Sequence, residues 1–194
     1  MILGPDFPRS IEQLSDLASL DQWLAIGQRT DLPVDANVDF DDPAEAESLW
    51  HDGRERGVLS SRVCKEFFAF PRGLFQAIPP FAVGRGNWDN WMVANAKAQQ
   101  IPVVDLSPVV TVLHQSHDYG HLKANRMSCY VSGDEARENQ RLAGGRNLIA
   151  GSTCTHRLSP NGIEEIGLAR AAVDFLFDLP RFTRLSFQLL SGRS

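Results

Sequence analysis

The chain has 194 residues, of which 43% are hydrophobic and 22% charged, close to a folded globular domain and far from a disordered one. Its net charge of −5 comes without a block of Lys or Arg, which argues against a protein held on nucleic acid by phosphate neutralisation. No apolar run approaches the roughly 18 residues that span a bilayer, and the start "MILGPDFPRSIEQL" lacks the basic beginning and apolar core of an export signal, so a cytoplasmic protein is expected.

In chain order, Ile11, Leu14, Leu17 and Ala18 fall at helical spacing behind Ser10, which predicts an amphipathic helix over 10–20 with Ser10 as N-cap. "QWLAIGQRT" predicts a short strand. After the acidic loop "DLPVDANVDFDD", Pro43 opens a predicted helix, "PAEAESLWHDGRERG", stopped by Gly57. The aromatic run "KEFFAFPRG" suits a strand closed by Pro71 and Gly73. In "WDNWMVANAKAQQ", Trp88, Trp91, Met92, Asn95 and Ala96 share one helical face, with Asn87 as cap. "VVDLSPVVTVL" then predicts a strand interrupted by Pro108, and "SGDEARENQRLAGG" and "NGIEEIGLARAAVDFLFDL" both read as helices. The order strand, helix, strand indicates α/β architecture. Cys64, Cys129 and Cys154 lie far apart in odd number and read as reduced, packed thiols.

Three constellations carry polar chemistry. "HQSHDYGH" holds His114, His117 and His121 where a β-branched strand gives way to a loop. Neutral imidazole is a common metal ligand and strand ends are common places for function, but histidines hydrogen-bonded or open to solvent would give the same pattern. HExxH is absent and no cysteine pair accompanies the cluster. In "GRGNWDNW", Asp89 falls in the first turn of a helix, where the macrodipole favours a charged carboxylate able to accept a proton from a hydroxyl. Trp88 and Trp91 offer flat faces for a sugar ring; the alternative makes Asp89 a helix-end charge and the tryptophans core. The glycines there do not complete GxGxxG. Asp39-Phe40-Asp41 spells a cation-binding Asp-x-Asp, but its place before Asp42-Pro43 favours helix capping.

The stretches "EFFAFPRGLFQAIPPFAVGRGNWDNW", "IPVVDLSPVVTVLHQSHDYGH" and "RLAGGRNLI" together resemble the C-terminal, acceptor-side part of bacterial glycosyltransferase-like proteins of the GT-A, or nucleotide-diphospho-sugar transferase, type. The resemblance is densest from Glu66 to His121 and weaker over 3–160. It implies a partial GT-A-like α/β fold with a mixed sheet and flanking helices over 1–160; the last thirty or so residues have no counterpart in it, and 161–194 is expected from its own pattern to be a helical extension. It also implies transfer of a sugar from a nucleotide-sugar donor to a carbohydrate or other hydroxyl acceptor. Asp89 would be the base, Trp88, Asn90 and Trp91 would line the acceptor site, and His114, then His117, would help hold Mn²⁺ or Mg²⁺. Arg72 and Arg85 are candidates for phosphate or substrate contacts on their chemistry alone. Family members carry a nucleotide-binding half ending in Asp-x-Asp, and "MILGPDFPRSIEQL" resembles the segment directly downstream of that half, so a partner supplying it is also expected. The competing expectations are a non-catalytic carbohydrate-binding or interaction remnant and a small metal-dependent hydrolase built on "HQSHDYGH".

Overall fold

The computed structural model describes residues 1–16, 21–34, 37–115, 133–145, 154–167, 169–174, 176–178 and 180. The elements run β1 (Ile2–Leu3), α1 (Phe7–Asp16), β2 (Leu24–Gln28), β3 (Thr30–Leu32), α2 (Pro43–Arg56), β4 (Val58–Leu59), β5 (Lys65–Ala69), α3 (Trp88–Ala98), β6 (Val103–Asp105), β7 (Val112–Gln115), α4 (Asp134–Leu142), β8 (His156–Ser159) and β9 (Gly162–Glu165). Among the described residues no helix is long and apolar enough to cross a membrane.

The strands form two mixed sheets. In the larger, β2, β6 and β8 run parallel, with β5 and β9 antiparallel at the edges, in the order β5-β2-β6-β8-β9. In the smaller, ordered β1-β7-β3-β4, the parallel pair is β3 and β7. Leu24, Ala25 and Ile26 read as a continuous apolar run because both faces of β2 are covered. Ala25 and Val104 pack with Leu14 of α1, while Leu24, Ile26 and Val103 pack with Met92, Val93 and Ala96 of α3. The smaller sheet packs Leu32 and Leu113 on Leu49 of α2. The protein is thus α/β, with mixed sheets and flanking helices.

Helix α2 matches its sequence signals. The Asp42 carboxylate accepts from the Ala44 N–H at 2.8 Å, and Pro43 takes the first helical position. Gly57 ends it by contact: a Cβ there would lie 2.2 Å from the Gly53 carbonyl and 2.4 Å from Thr30 Cγ2. The Asp39 carboxylate accepts from the Asp41 N–H at 2.9 Å, in keeping with a capping loop.

Five expectations are corrected. Helix α1 begins at Phe7, and Ser10 lies inside it, its hydroxyl donating to the Asp6 carbonyl at 2.9 Å; Pro8, with φ already set for a helix, starts the turn earlier. Asn87 precedes α3 with φ of 77°, but its side chain makes no capping bond. The buried face of α3 is Asp89, Asn90, Met92, Val93 and Ala96, rotated from the expected one, so that Trp88, Trp91 and Asn95 are half-buried. The stretch around Pro108 yields two strands in different sheets, β6 and β7, and the helix expected from Asn161 begins as β9, which pairs with β8.

Candidate functional site

Alternation along the strands sorts the larger sheet's polar residues onto one face. Val104 and Leu158 point into the α1 cluster, so their neighbours Asp105 and Arg157, adjacent in register, point to the α3 side. Asp105 is the last residue of β6 and Arg157 the second of β8; the carboxyl end of a parallel strand, as at Asp105, is where open α/β sheets usually bind ligands.

Asp89 enters this region from the first turn of α3. The turn into that helix uses two left-handed residues, Gly84 (φ 81°) and Asn87. The loop is clamped from outside by Asn139 of α4, fully buried, which accepts from the Ala82 N–H at 2.8 Å and donates to the carbonyls of Ala82 and Gly86 at 2.9 and 3.1 Å. Arg85 reinforces the clamp, its Nε donating to Glu135 at 2.7 Å. The Arg85 guanidinium is therefore engaged with α4, while Arg72 is exposed in the turn after β5.

Lys65 is the nearest cation to Asp89. Its Nζ lies 4.0 Å from Asp89 Oδ2 and donates to Asn90 Oδ1 at 2.9 Å and to the Val63 carbonyl at 3.3 Å. Burial pushes the ammonium below the ordinary lysine range, with the Asp89 charge opposing that shift. Asn90 is thus fixed by Lys65. Trp88 meets Phe68 edge-on at 5.3 Å, and Trp91 packs on Phe81 at 5.4 Å and Phe75 at 6.2 Å.

Glu66, next to Lys65, sits where the β2–β5 register shifts between Gly27 and Gln28. Bulges of this kind re-aim a side chain. Glu66 Oε1 lies 2.6 Å from His114 Nδ1, an arrangement that orients the imidazole. His114 falls near the end of β7, opposite Asp31, which pairs with Arg29 at 3.0 Å. Consecutive residues of β5 therefore engage the two candidate groups separately: Lys65 with Asp89 and Asn90, Glu66 with His114. Among the described residues no three His, Cys, Asp or Glu side chains converge as a metal shell. Glu66 and His114 alone do not fit a hard divalent cation, which takes several oxygen donors. His117, His121 and Cys129 lie outside the described residues.

A further cluster escaped the sequence reading. Asp105, 3% exposed, accepts from Arg62 Nη1 at 2.9 Å and from the Ser107 N–H at 3.0 Å, with Arg157 Nε 3.5 Å away. Asp174 accepts from Arg157 Nη2 at 2.5 Å and from Arg170 Nε at 3.1 Å. Asp178 accepts from the Ser61 hydroxyl at 2.7 Å and the Arg62 N–H at 3.1 Å. The available signal was Asp105 itself, a lone charge inside the apolar "IPVVDL". Burial would raise the Asp174 carboxyl, but the hydrogen bond and charge of Arg157, with Arg62 and Arg170, hold it below the usual aspartate value. Burial pushes the Cys154 and Cys64 thiols up, so both stay protonated and unreactive.

No protein-family model, curated protein or solved structure matches this chain significantly. The chemistry on offer is a positioned carboxylate beside a buried ammonium, a carboxylate-oriented imidazole, and a pair of arginines at the strand ends.

Proposed function

We propose that the chain is the acceptor-side part of a glycosyltransferase with a GT-A-like fold, moving a sugar from a nucleotide-sugar donor to a hydroxyl acceptor. The observation that carries this reading is Asp89: it stands in the first turn of α3, its side chain 12% exposed, within a stretch that resembles the family's acceptor motif. In the proposed step an Asp89 oxygen takes the acceptor's proton as the hydroxyl oxygen bonds to the anomeric carbon. The bond from that carbon to the diphosphate breaks, and the nucleoside diphosphate leaves with its electrons. Lys65 fixes Asn90 beside the reacting carboxylate, and Trp88 and Trp91 flank it with half-buried rings. The reading includes a partner that supplies the nucleotide-binding half, and further ligands beyond Glu66 and His114 for Mn²⁺ or Mg²⁺.

A second reading, a carbohydrate-binding remnant without catalysis, draws on the half-buried Trp88 and Trp91. The small metal-dependent hydrolase would draw on His117 and His121, which lie outside the described residues. Calorimetric titration of the folded chain with UDP and GDP, with and without Mn²⁺, separates the first two. Metal-dependent binding that weakens in His114→Ala supports a donor site in this chain. Glycan binding without metal or nucleotide, and no nucleotide binding, supports the remnant.

A further inference from the structure

Residues 169–174 and 176–178 are helical, and their described side chains bury acids while leaving large apolar groups exposed. Asp178 is the helix's buried side chain among the described residues, at 7% exposure, and Asp174 is half-buried. Val173, Leu176 and Phe177 are 43%, 66% and 74% exposed. Two acids four residues apart share one helical face, and that face is turned to Arg157, Arg62 and Ser61. Among the described residues of the helix, the contacts that hold it to the body are those of its carboxylates.

The body's side of this contact is rich in donors. Arg62 and Arg157 face the single carboxylate of Asp105, leaving one positive charge in excess until the helix adds its own groups. The Ser61 hydroxyl, wholly buried, and the Arg62 N–H both point at Asp178, one helical turn beyond the Asp174 that Arg157 meets. Arg157 is 9% exposed, and its Nε, itself buried, has no hydrogen-bond partner among the described residues. A guanidinium pair with a hydroxyl and a backbone N–H suits an oxyanion with more acceptor oxygens than a carboxylate has, as a phosphoryl group does. The location, at the carboxyl end of β6 where Asp105 closes the strand, is where such ligands dock in parallel sheets.

We propose that Arg62, Arg157, Ser61 and the Arg62 N–H form a phosphoryl-binding site which Asp174 and Asp178 of the protein's own C-terminal helix fill as intramolecular stand-ins. A phosphorylated ligand and the helix then exclude one another. The helix is a latch, and the ligand opens it. This inference invokes neither Asp89 nor His114 nor a metal, so it stands or falls apart from the transferase reading.

The test uses the full chain in EDTA, titrated calorimetrically with orthophosphate, pyrophosphate and UDP. In Asp174→Asn/Asp178→Asn the competing carboxylates are gone, and pyrophosphate binds about tenfold or more tighter than to wild type, since a competitor that fills the site lowers apparent affinity by the fraction of time it is seated. Adding Arg157→Gln abolishes that binding. UDP tighter than pyrophosphate identifies a nucleotide as the source of the phosphoryl group; equal affinities identify a free phosphate compound. Hydrogen exchange on wild type, which needs no variant to fold, reads the latch directly: pyrophosphate accelerates exchange over 169–178. Equal affinity in wild type and the double variant, binding that survives Arg157→Gln, or exchange unchanged by saturating pyrophosphate overturns the proposal.

Discussion

The two faces of the five-stranded sheet use the same strands for different ends. Towards α1 the face is apolar along its length, with Leu14, Ala25, Phe67, Val104, Leu106 and Leu158 forming one cluster. Towards α3 it is apolar only where Leu24, Ile26 and Val103 meet Met92, Val93 and Ala96. Beyond them come Lys65, Asp89, Asn90, Asp105 and Arg157, buried or nearly so and held by one another. Burying charge is costly unless it is paired. A fold that tolerates this on one face, while the other is filled with hydrocarbon, separates an apolar side that supplies stability from a side that gathers the polar groups of the candidate site.

That comparison can be broken from either side. The largest effect belongs to the α1 face: Leu158→Ala, at a site 1% exposed, is expected to lower unfolding stability by about 2–5 kcal/mol in urea titrations. A loss well below that range would mean the face is not the stabilising one. On the polar side, Asp105→Asn leaves Arg62 and Arg157 facing a neutral amide. Because Arg62 is 40% exposed, part of the usual 3–5 kcal/mol for breaking a buried pair is screened, and a loss of about 2 kcal/mol is expected.

The Asp174 contact sharpens the comparison through pH. Its folded-state carboxyl is held below the ordinary value, so its stabilisation is complete above the unfolded value and disappears as pH falls through the folded one. The stability gap between wild type and Asp174→Asn should therefore be constant from neutral pH to about 4, near the ordinary aspartate value, and shrink below it. A gap independent of pH would detach Asp174 from Arg157. The smallest effect is at the rim: Arg85→Ala removes an ion pair whose Glu135 is 61% exposed, and should cost less than about 1 kcal/mol.

Strands and helices with local signals could be read from sequence. Pro43, Asp42 and Gly57 bounded α2, and the aromatic run marked β5. What failed was decided by distant pairing. The apolar run 103–113 does not disclose that Leu106 turns the chain from one sheet to the other, with the Val109 and Val110 N–H groups both bonding back to its carbonyl. Residues 162–166 carry Ile163 and Ile166 at near-helical spacing, yet the Pro160-Asn161 turn, followed by Gly162 at φ 117°, folds them back on β8.

The candidate site divides the same way. Asp89, Asn90 and the two tryptophans lie in one motif, and reading a helix from it placed them together. Lys65, Glu66, Arg62 and Arg157 acquire meaning only from partners 17 to 116 residues away, so nothing local marks them. Asn139 is the extreme case: a polar residue in a charged helix, distinguished only by the loop it clamps across 57 residues.

The division of labour between the two faces is tested most directly by one variant, Asp89→Asn, measured twice: unfolding in urea, and sugar transfer by the chain together with the partner half the transferase reading requires. The account predicts a stability loss of no more than about 2 kcal/mol, because the buried Lys65 ammonium loses the charge 4.0 Å away but keeps its bond to Asn90, and transfer reduced by about 10²–10⁴-fold, as for loss of a general base. Transfer at the wild-type rate in a folded Asp89→Asn protein would contradict it.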